Sequence, residues 1–380
     1  MSSTLASDFA SFFSRVTDPR IERSKEHRLL DILFIAVSGT IAGCEGPSDI
    51  AEFAQTQLAW CRRFVPLKNG IPAHDTIGRV LALLKPQELQ QAIVDWLATL
   101  VVEGERGDEQ PRFVPIDGKT LRGSHGARER TQPLHLVSAW ATQQGMTLGQ
   151  VAVDDKSNEI TAIPRLLTML ELRGAIVSID AMGCQKEIAR QIVEQGGDYL
   201  LAVKDNQPTL RAALDEFFTA RHEREDFADF ACRQHQTVER SRGRDETRSY
   251  YLAPLPESLS PLVGDWKGLT SIGQVITSTT HHGRETFDVR YYISSRVAKV
   301  KEFARAARGH WQIESMHWIL DVVLSEDDSR LRDGDAAENF GCLRKFAISL
   351  LKRDTSKGSL KGKRKKAGWS TAFLEKLLFN

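Results

Sequence analysis

The chain has 380 residues, of which 41% are hydrophobic and 27% are charged, and its formal net charge is +1. This is the composition of an ordinary globular protein, and the length predicts two or three domains rather than one small core. The near-zero net charge gives no global signal for nucleic-acid binding. The longest apolar segment, residues 29–43, carries Asp31 and is shorter than the ~20 residues of a membrane-spanning helix, so it predicts a buried helix.

The five cysteines, at 44, 61, 184, 232 and 342, form no C-x-x-C pair and no Cys/His cluster. A structural zinc site or a disulfide framework is therefore not expected, and a reducing cytoplasm fits this pattern. The N-terminal residues show no basic segment followed by an apolar one, so no secretory signal is expected either. We therefore predict a cytoplasmic protein.

The first hundred residues have the apolar spacing of helices. Two such segments, 46–65 and 73–84, flank a turn that contains glycine. Two helices around such a turn suggest a helix-turn-helix, in which His74, Thr76 and Arg79 face outward and Arg79 is a candidate DNA contact. An ordinary helical hairpin fits the same pattern.

A third helical pattern at 87–102 completes this part of the chain, and a polar linker follows at 103–111. The sequence thus predicts a helical N-terminal domain over residues 1–103. The hydrophobic pattern changes sharply beyond the linker.

From residue 113 onward, strand patterns come first and then alternate with helix patterns. Three consecutive strands suggest an antiparallel meander, and the later strand–helix–strand units suggest parallel crossovers onto the same sheet. This order predicts an α/β (α+β) fold with an RNase H-like mixed sheet. The predicted strands are 113–121, 134–142, 148–155, 175–183 and 198–206, and the predicted helices between them are 159–174 and 185–197.

Beyond residue 206 the pattern is less regular. A charged segment at 221–249 resists assignment, whereas 275–295 alternates well enough for a β-hairpin that turns at His282-Gly283. A long helix is predicted over 301–327. We therefore expect a second, α/β domain to span about 110–350.

The C-terminal segment, 351–380, is basic. Eight Lys/Arg residues lie between Lys352 and Lys366, against one acid, Asp354. Such a run predicts a solvated, flexible tail, and a role in nucleic-acid binding is an equally good interpretation.

Two predicted strands end on an aspartate, in Ile116-Asp117 and in Ile179-Asp180. If these strands are neighbours, their carboxylates converge, and one pKa would rise strongly unless a cation compensates. Mg²⁺ prefers oxygen ligands of this kind. A third acid would complete a site for two metal ions about 4 Å apart, an arrangement suited to displacement at phosphorus.

Glu314, on the predicted long helix, is the best candidate for the third acid. At helical spacing His317 and Asp321 fall near the same face, while Glu326 and Asp327 lie farther along and are weaker candidates. The alternative interpretation is that each acid is an ordinary surface or turn residue.

Five segments carry a family resemblance, and they occur in the order IDGKTLRGS, KSNEITAIPRLL, IDAMGCQKEIA, YLLAVKDNQ and HWQIESMHWILDVVLSEDDSR. They resemble the DDE transposases of bacterial insertion sequences, specifically the ISAs1 group that includes the H-repeat-associated proteins. The resemblance covers nearly the whole chain and implies that residues 110–350 form the catalytic domain. It implies a catalytic and metal-binding triad of Asp117, Asp180 and Glu314, with a β-rich insertion at about 207–297.

The resemblance also implies an activity and its partners. The expected reaction is metal-dependent cleavage and strand transfer of DNA, with two Mg²⁺ ions for which Mn²⁺ can substitute. The expected partner is double-stranded DNA, both the element ends and the target, bound by a homodimer at the nucleoid and not at a membrane.

The sequence departs from the related IS4-type signature, which has Tyr, Arg and Lys at positions −7, −4 and +7 from the third acid. Ala307, His310 and Asp321 occupy those positions here. The cations that contact DNA phosphates must therefore come from elsewhere, and the candidates near the acids are Arg308, Lys119 and Arg122.

Lys204 and Asn206 follow a predicted strand and are further candidates for positioning phosphates. His310, His317 and Asp321 are possible auxiliary residues of the site. Each of these residues also fits an ordinary role as a solvated surface or turn residue. Two other functions remain open: a transposase-derived DNA-binding protein that no longer catalyses, and a simple RNase H-like nuclease.

Overall fold

A computed structural model describes residues 9–100, 111–125, 132–154, 157–224, 232–241, 243–297 and 299–379. All but the last residue of the linker expected at 103–111 lies outside these ranges. The strands are β1 (Arg112–Leu121), β2 (Leu134–Ala141), β3 (Met146–Ala152), β4 (Ala175–Ile179), β5 (Asp198–Val203), β6 (Arg233–Ser241), β7 (Arg244–Pro254), β8 (Ser271–His281) and β9 (Arg284–Ser294).

The helices are numbered in the same way along the chain. They are α1 (Leu29–Ala42), α2 (Pro47–Thr56), α3 (Leu58–Cys61), α4 (His74–Leu83), α5 (Pro86–Thr99), α6 (Glu159–Leu167), α7 (Lys186–Glu194), α8 (Pro208–Arg224), α9 (Ser260–Val263), α10 (Val300–Val322), α11 (Ala336–Arg353), α12 (Leu360–Trp369) and α13 (Thr371–Phe379).

The strands form a sheet in the order β3-β2-β1-β4-β5-β9-β8-β7-β6. β2 and β3 are antiparallel, whereas β1, β4 and β5 are parallel to one another. A mixed sheet that joins consecutive strands β1 to β3 to the parallel strands β4 and β5 is what the sequence predicts, so the α/β fold class with an RNase H-like sheet is confirmed. The remaining four strands, β9 to β6, pair antiparallel.

The chain divides into two compact units. Unit 1 comprises Met1–Asp108, Gly118–Ser157 and Ser315–Asn380, and unit 2 comprises Glu109–Asp117 and Asn158–Glu314. Strand β1 and helix α10 each begin in unit 2 and end in unit 1.

In unit 1 the central element is α1, which is buried around almost its whole circumference because nearly all its residues are apolar. Helices α2, α11, α12 and α13 pack against it. The buried helix predicted at 29–43 is therefore confirmed. No single helix among the described residues is long and apolar enough to cross a membrane; α1 and α2 reach that length only as a pair bent by 96°.

The helices expected to form a helix-turn-helix also lie in unit 1. The first is interrupted at Gln57, between α2 and α3, and α2 packs against α4. On α4, His74 and Arg79 are exposed and Thr76 is half-buried. DNA binding by these helices stays a prediction.

The C-terminal segment is not the solvated, flexible tail that its charge suggests. It forms α12 and α13, because Phe373, Leu374, Leu377 and Leu378 are buried. Two of its basic residues are buried as well: Lys363 lies 3.4 Å from Asp354, and Arg364 donates to the carbonyls of Val323, Gly43 and Cys44. Lys361, Lys365 and Trp369 remain exposed on α12.

In unit 2 one face of the sheet packs against the first part of α10. Residues from six strands and Phe303, Ala304, Ala306 and Ala307 form one apolar core. The hairpin predicted at 275–295 is confirmed as β8 and β9, and its turn residues His282 and Gly283 have φ of 49° and 75°.

The hairpin β6–β7 was missed by sequence reasoning. Most of it falls in the charged segment 221–249, and most side chains of β6 are exposed on both faces. A strand that buries neither face shows no clear alternation of apolar and polar residues, which is the signal that predicts a strand.

Candidate active site

Asp117 and Asp180 lie side by side in unit 2. Asp180 directly follows β4, whereas β1 continues to Leu121, so the prediction that Asp117 ends its strand is wrong. Strand β1 pairs in parallel with β4, and the last pair in register is Ile116 with Ile179. Asp117 and Asp180 are the next residues on the two strands. Because paired residues of adjacent strands lie about 5 Å apart and project to the same face, the two carboxyl groups are neighbours.

Asp180 lies in a negative environment. Burial raises the pKa of its carboxyl group most, and the negative charges of Glu159 and Asp117 raise it further. The backbone N–H of Met182, which donates to Asp180 Oδ1 at 3.1 Å, acts in the opposite direction but does not cancel these effects. A bound cation would relieve this repulsion.

Helix α10 brings His310 and Glu314 to the same edge of the sheet. Nδ1 of His310 lies 3.2 Å from Oγ of Ser178, which is on the same face of β4 as Asp180. Burial lowers the pKa of His310, and the charges of Asp117, Asp180 and Glu314 act in the opposite direction. The negative charges of all three acids therefore act on the His310 imidazole.

The three acids have the donor chemistry of a site for a hard divalent cation, since each offers carboxylate oxygens. Among the residues that the structure describes, however, no group of three or more His, Cys, Asp or Glu side chains stands close enough to hold a metal ion. Glu314 is exposed, whereas Asp117 and Asp180 are half-buried. The structure thus pairs the two aspartates and leaves the glutamate nearby.

The turn that follows Asp180 is held from two sides. Asn206 and Gln207 donate side-chain hydrogen bonds to the carbonyls of Ala181 and Cys184. Gly183 packs so closely against β4 and α6 that a Cβ there would stand 2.3 Å from Cγ2 of Ile179 and 3.0 Å from Cδ1 of Ile163. Asn206, predicted as a DNA contact, is thus bonded to this turn.

Glu159 is a neighbour of the site that sequence reasoning did not single out. It is the first residue of α6, whose N-cap is Asn158, and the Asn158 side chain accepts a hydrogen bond from Ile160 N at 3.1 Å. Helix α6 packs against the turn after Asp180. The KSNEITAIPRLL segment holds an acid at a helix start, but only the packing brings that acid to Asp180.

Lys119, predicted as a DNA contact, has a different environment in unit 1. Its ammonium lies 2.7 Å from Asp321, 3.2 Å from Glu326 and 3.0 Å from Asp327, and its side chain is only 9% exposed. Because the ammonium already forms ion pairs with these three carboxylates, we do not retain Lys119 as a phosphate contact. Asp321 belongs to this cluster. Arg122 is exposed, with Nε 3.5 Å from Asp327.

The other predicted residues lie on different surfaces. In unit 2, Arg308 forms two hydrogen bonds with Glu239, at 2.9 and 3.1 Å, and Lys204 is exposed just after β5. In unit 1, His317 is half-buried on α10, and Arg79 is exposed on α4. Of the predicted residues in unit 2, the structure thus brings His310 to the acids and Asn206 to the turn after Asp180.

Comparison with known proteins agrees with this arrangement of strands and acids. Residues 108–350 match the family described as "Transposase DDE domain", and residues 10–97 match the family described as "DDE_Tnp_1-associated". The chain belongs to the DDE transposase family. The predicted resemblance to the H-repeat-associated transposases is therefore confirmed.

Three curated relatives are similar over nearly their whole length. The H repeat-associated putative transposase YhhI of Escherichia coli K12 is 38% identical over 373 residues, covering 96% of each chain. The putative transposase YncI of E. coli O157:H7 is 39% identical over 375 residues, covering 97% of this chain and 93% of that protein. The putative protein YbfL of E. coli K12 is 38% identical over 373 residues, covering 96% of each.

Proposed function

We propose that this DDE transposase cuts DNA at the ends of an insertion sequence and joins those ends to a target. The observation that carries the proposal is the register of β1 against β4, which makes Asp117 and Asp180 neighbours beside the helix that bears His310 and Glu314. Metal-dependent phosphoryl transfer requires a set of carboxylate donors. Asp117 and Asp180 supply two adjacent ones, and Glu314 acts on the same imidazole as they do, that of His310.

Asp117, Asp180 and Glu314 would hold Mg²⁺ ions, with Mn²⁺ as a substitute. When bound, such ions activate the attacking oxygen and neutralise charge on the phosphate and the leaving oxygen. In the first step water forms a bond to phosphorus and the P–O3′ bond breaks, leaving a 3′-hydroxyl and a 5′-phosphate. In the second step that 3′-hydroxyl attacks a target phosphodiester and displaces its 3′-oxygen.

The residues around the acids have supporting roles. Ser178 fixes the ring of His310 through Nδ1, and the hydrogen bonds from Asn206 and Gln207 fix the turn after Asp180. Burial and this bonding hold Asp180 in place despite the repulsion from Asp117. These rigid surroundings would keep the carboxylates of Asp117 and Asp180 close together until cations bind.

The remaining assignments belong to the same proposal. The helices over residues 1–103 would recognise the element ends through exposed residues such as Arg79, and residues 110–350 would form the catalytic domain with the insertion at 207–297. Arg122 and Lys204 are candidate contacts to DNA phosphates, and Arg308 is one only where DNA displaces its partner Glu239. We further propose a homodimer on paired DNA ends, in the cytoplasm at the nucleoid.

The test is an assay of cleavage and strand transfer with Mg²⁺ or Mn²⁺, on duplexes taken from both flanks of the reading frame. Asp117→Asn and Asp180→Asn should each abolish both products. Asp265→Asn is the matched control, because Asp265 is an exposed acid of unit 2 that pairs with Lys186. Cleavage that survives Asp117→Asn would contradict the proposed role of the acids.

A second candidate function is a transposase-derived protein that binds DNA without cutting it. The observation in its favour is that no three acidic, histidine or cysteine side chains among the described residues stand ready to share a metal ion. Sequence-selective binding with no nicking in either metal would support this function. Cut DNA that is never joined would instead indicate a simple nuclease.

A further inference from the structure

The surroundings of Glu314 are poor in available positive charge. The three positions that carry Tyr, Arg and Lys in the IS4-type signature hold Ala307, His310 and Asp321 in this chain. Arg308, the adjacent basic residue, is engaged by both carboxylate oxygens of Glu239. A phosphate that approaches Glu314 therefore needs a cation from another element.

Arg290, on strand β9 of the insertion, lies beside this acid. Its guanidinium carbon is 4.7 Å from the ring centroid of Trp311. Trp311 precedes Glu314 by three positions on α10, so the two side chains occupy neighbouring places on the helix surface. The charge of Glu314 is also among the causes that raise the pKa of Arg290; burial, the largest influence, acts in the opposite direction.

The Arg290 side chain is held in place but not buried. Its Nε donates to Asp288 at 2.7 Å, and the side chain hydrogen-bonds to Tyr292, which belongs to the apolar core under α10. The arginine side chain remains 32% exposed. An arginine held by stacking and hydrogen bonds keeps its planar fork oriented, which favours recognition of phosphate oxygens.

A second arginine near the Trp311 ring, Arg248, is less accessible than Arg290. Arg248 lies 5.9 Å from the Trp311 centroid, but its side chain is only 6% exposed and it pairs with Glu239 and Glu246. Burial lowers the pKa of Arg248, and the charge of Arg308 lowers it further. Of these two arginines, Arg290 is the one that a ligand can reach.

We propose that Arg290 is a phosphate-binding residue of this site, which holds the DNA backbone beside Glu314 while Trp311 supports its guanidinium. The inference rests on the proposed transposase function, since it assigns the insertion a part in binding the DNA that the acids cut. Strand β9 then carries the cation that the helix around Glu314 lacks.

The test compares Arg290→Gln, which removes the charge, with Arg290→Lys, which keeps the charge and loses the planar fork. Arg284→Gln is the matched control, because Arg284 is an exposed arginine on the same strand and the same face, about 20 Å away. Binding of a short labelled duplex is measured without metal over a range of salt concentrations. Thermal unfolding of each variant reports whether the fold is intact.

For Arg290→Gln we expect the slope of log K against log salt to become shallower by about 0.9, the value for one phosphate contact. Cleavage should slow by roughly 10- to 100-fold, with Arg290→Lys intermediate and Arg284→Gln close to wild type. Slower cleavage with an unchanged slope would make Arg290 a structural partner of Glu314 and overturn the proposal. An equal loss of slope in Arg284→Gln would overturn it too.

The salt slope separates this inference from the proposed function. If the wild-type chain binds DNA but never cuts it, the proposed catalysis fails, and the slope of Arg290→Gln still decides whether Arg290 contacts a phosphate. If the wild type cuts DNA and Arg290→Gln behaves like Arg284→Gln in both measurements, the transposase function stands and the inference fails.

Discussion

Replacing Lys119 by methionine tests the ion cluster at the end of β1. The ammonium of Lys119 has three carboxylate partners within 3.2 Å, and the Glu326 side chain is fully buried. Burial disfavours the charged form of Lys119, but the attraction of Glu326, Asp321 and Asp327 outweighs it, so the pKa of Lys119 is raised. The ammonium is therefore charged at neutral pH. Its removal takes the shared ion-pair partner from three carboxylates, of which Glu326 keeps only the attraction of Arg344 and Lys345 among the interactions described.

The magnitude follows from these distances. At an effective dielectric constant of about 20, one unit-charge pair 3 Å apart is worth about 5 kcal/mol, and the cost of removing the ions from water offsets much of it. Breaking a buried pair by removing one partner typically costs about 3–5 kcal/mol. We expect Lys119→Met to lower the free energy of unfolding by that amount.

The measurement is equilibrium unfolding in urea at neutral pH. Lys68→Met is the control, since Lys68 is an exposed lysine of unit 1 and its loss should change stability by less than about 0.5 kcal/mol. A loss below about 1 kcal/mol for Lys119→Met would refute the reasoning. So would a shallower salt slope of DNA binding at unchanged stability, which would identify Lys119 as a DNA contact after all.

Three further predictions concern other parts of the chain. Gly183→Ala should destabilise the fold by about 1–3 kcal/mol and slow cleavage, because its Cβ would overlap a stiff β-branched side chain beside the turn after Asp180. Neutralising the exposed Lys361 and Lys365 together should make the salt slope of DNA binding shallower by up to about 1.8. Asp354→Asn should cost about 2 kcal/mol at pH 7 and progressively less as pH falls below about 4.

The sign of the pH effect follows from the pKa of Asp354. Burial raises that pKa, but hydrogen bonds from Lys376, Ser356 and Lys363 outweigh burial and lower it well below its usual value. A depressed carboxyl pKa contributes stability above the unfolded pKa, and this contribution is lost as the pH falls toward the folded pKa. Urea unfolding of wild type and variant at pH 7, 4 and 3 checks this, and a constant difference would contradict it.

Gly264→Ala is the control for Gly183→Ala. Gly264→Ala should leave stability nearly unchanged, because a Cβ there would have only the Ser260 carbonyl within 4 Å, at 3.9 Å. Equal effects at Gly183 and Gly264 would contradict the packing argument. Fluorescence anisotropy with a short duplex measures the salt slope of the double lysine variant, and an unchanged slope would exclude this face of α12 from DNA binding.

The sequence alone was enough for the fold class, the order of strands and helices along the catalytic region, the buried helix at 29–43 and the family. These rest on apolar periodicity and on contiguous motifs, which are local properties of the chain. The same local signals named Asp117, Asp180 and Glu314, whose roles stay predictions. Local signals failed where side chains are charged and exposed, as in the hairpin β6–β7.

Only the tertiary structure decided which charges meet. Lys119 follows Asp117 closely in the sequence, yet its ammonium pairs with acids about two hundred positions away. In the basic C-terminal segment, Lys363 and Arg364 have buried partners that the spacing of residues in the sequence does not predict. Arg290 and Glu159 come to the acids from remote elements for the same reason. Charged side chains attract one another through space, so their separation along the chain does not predict which of them pair.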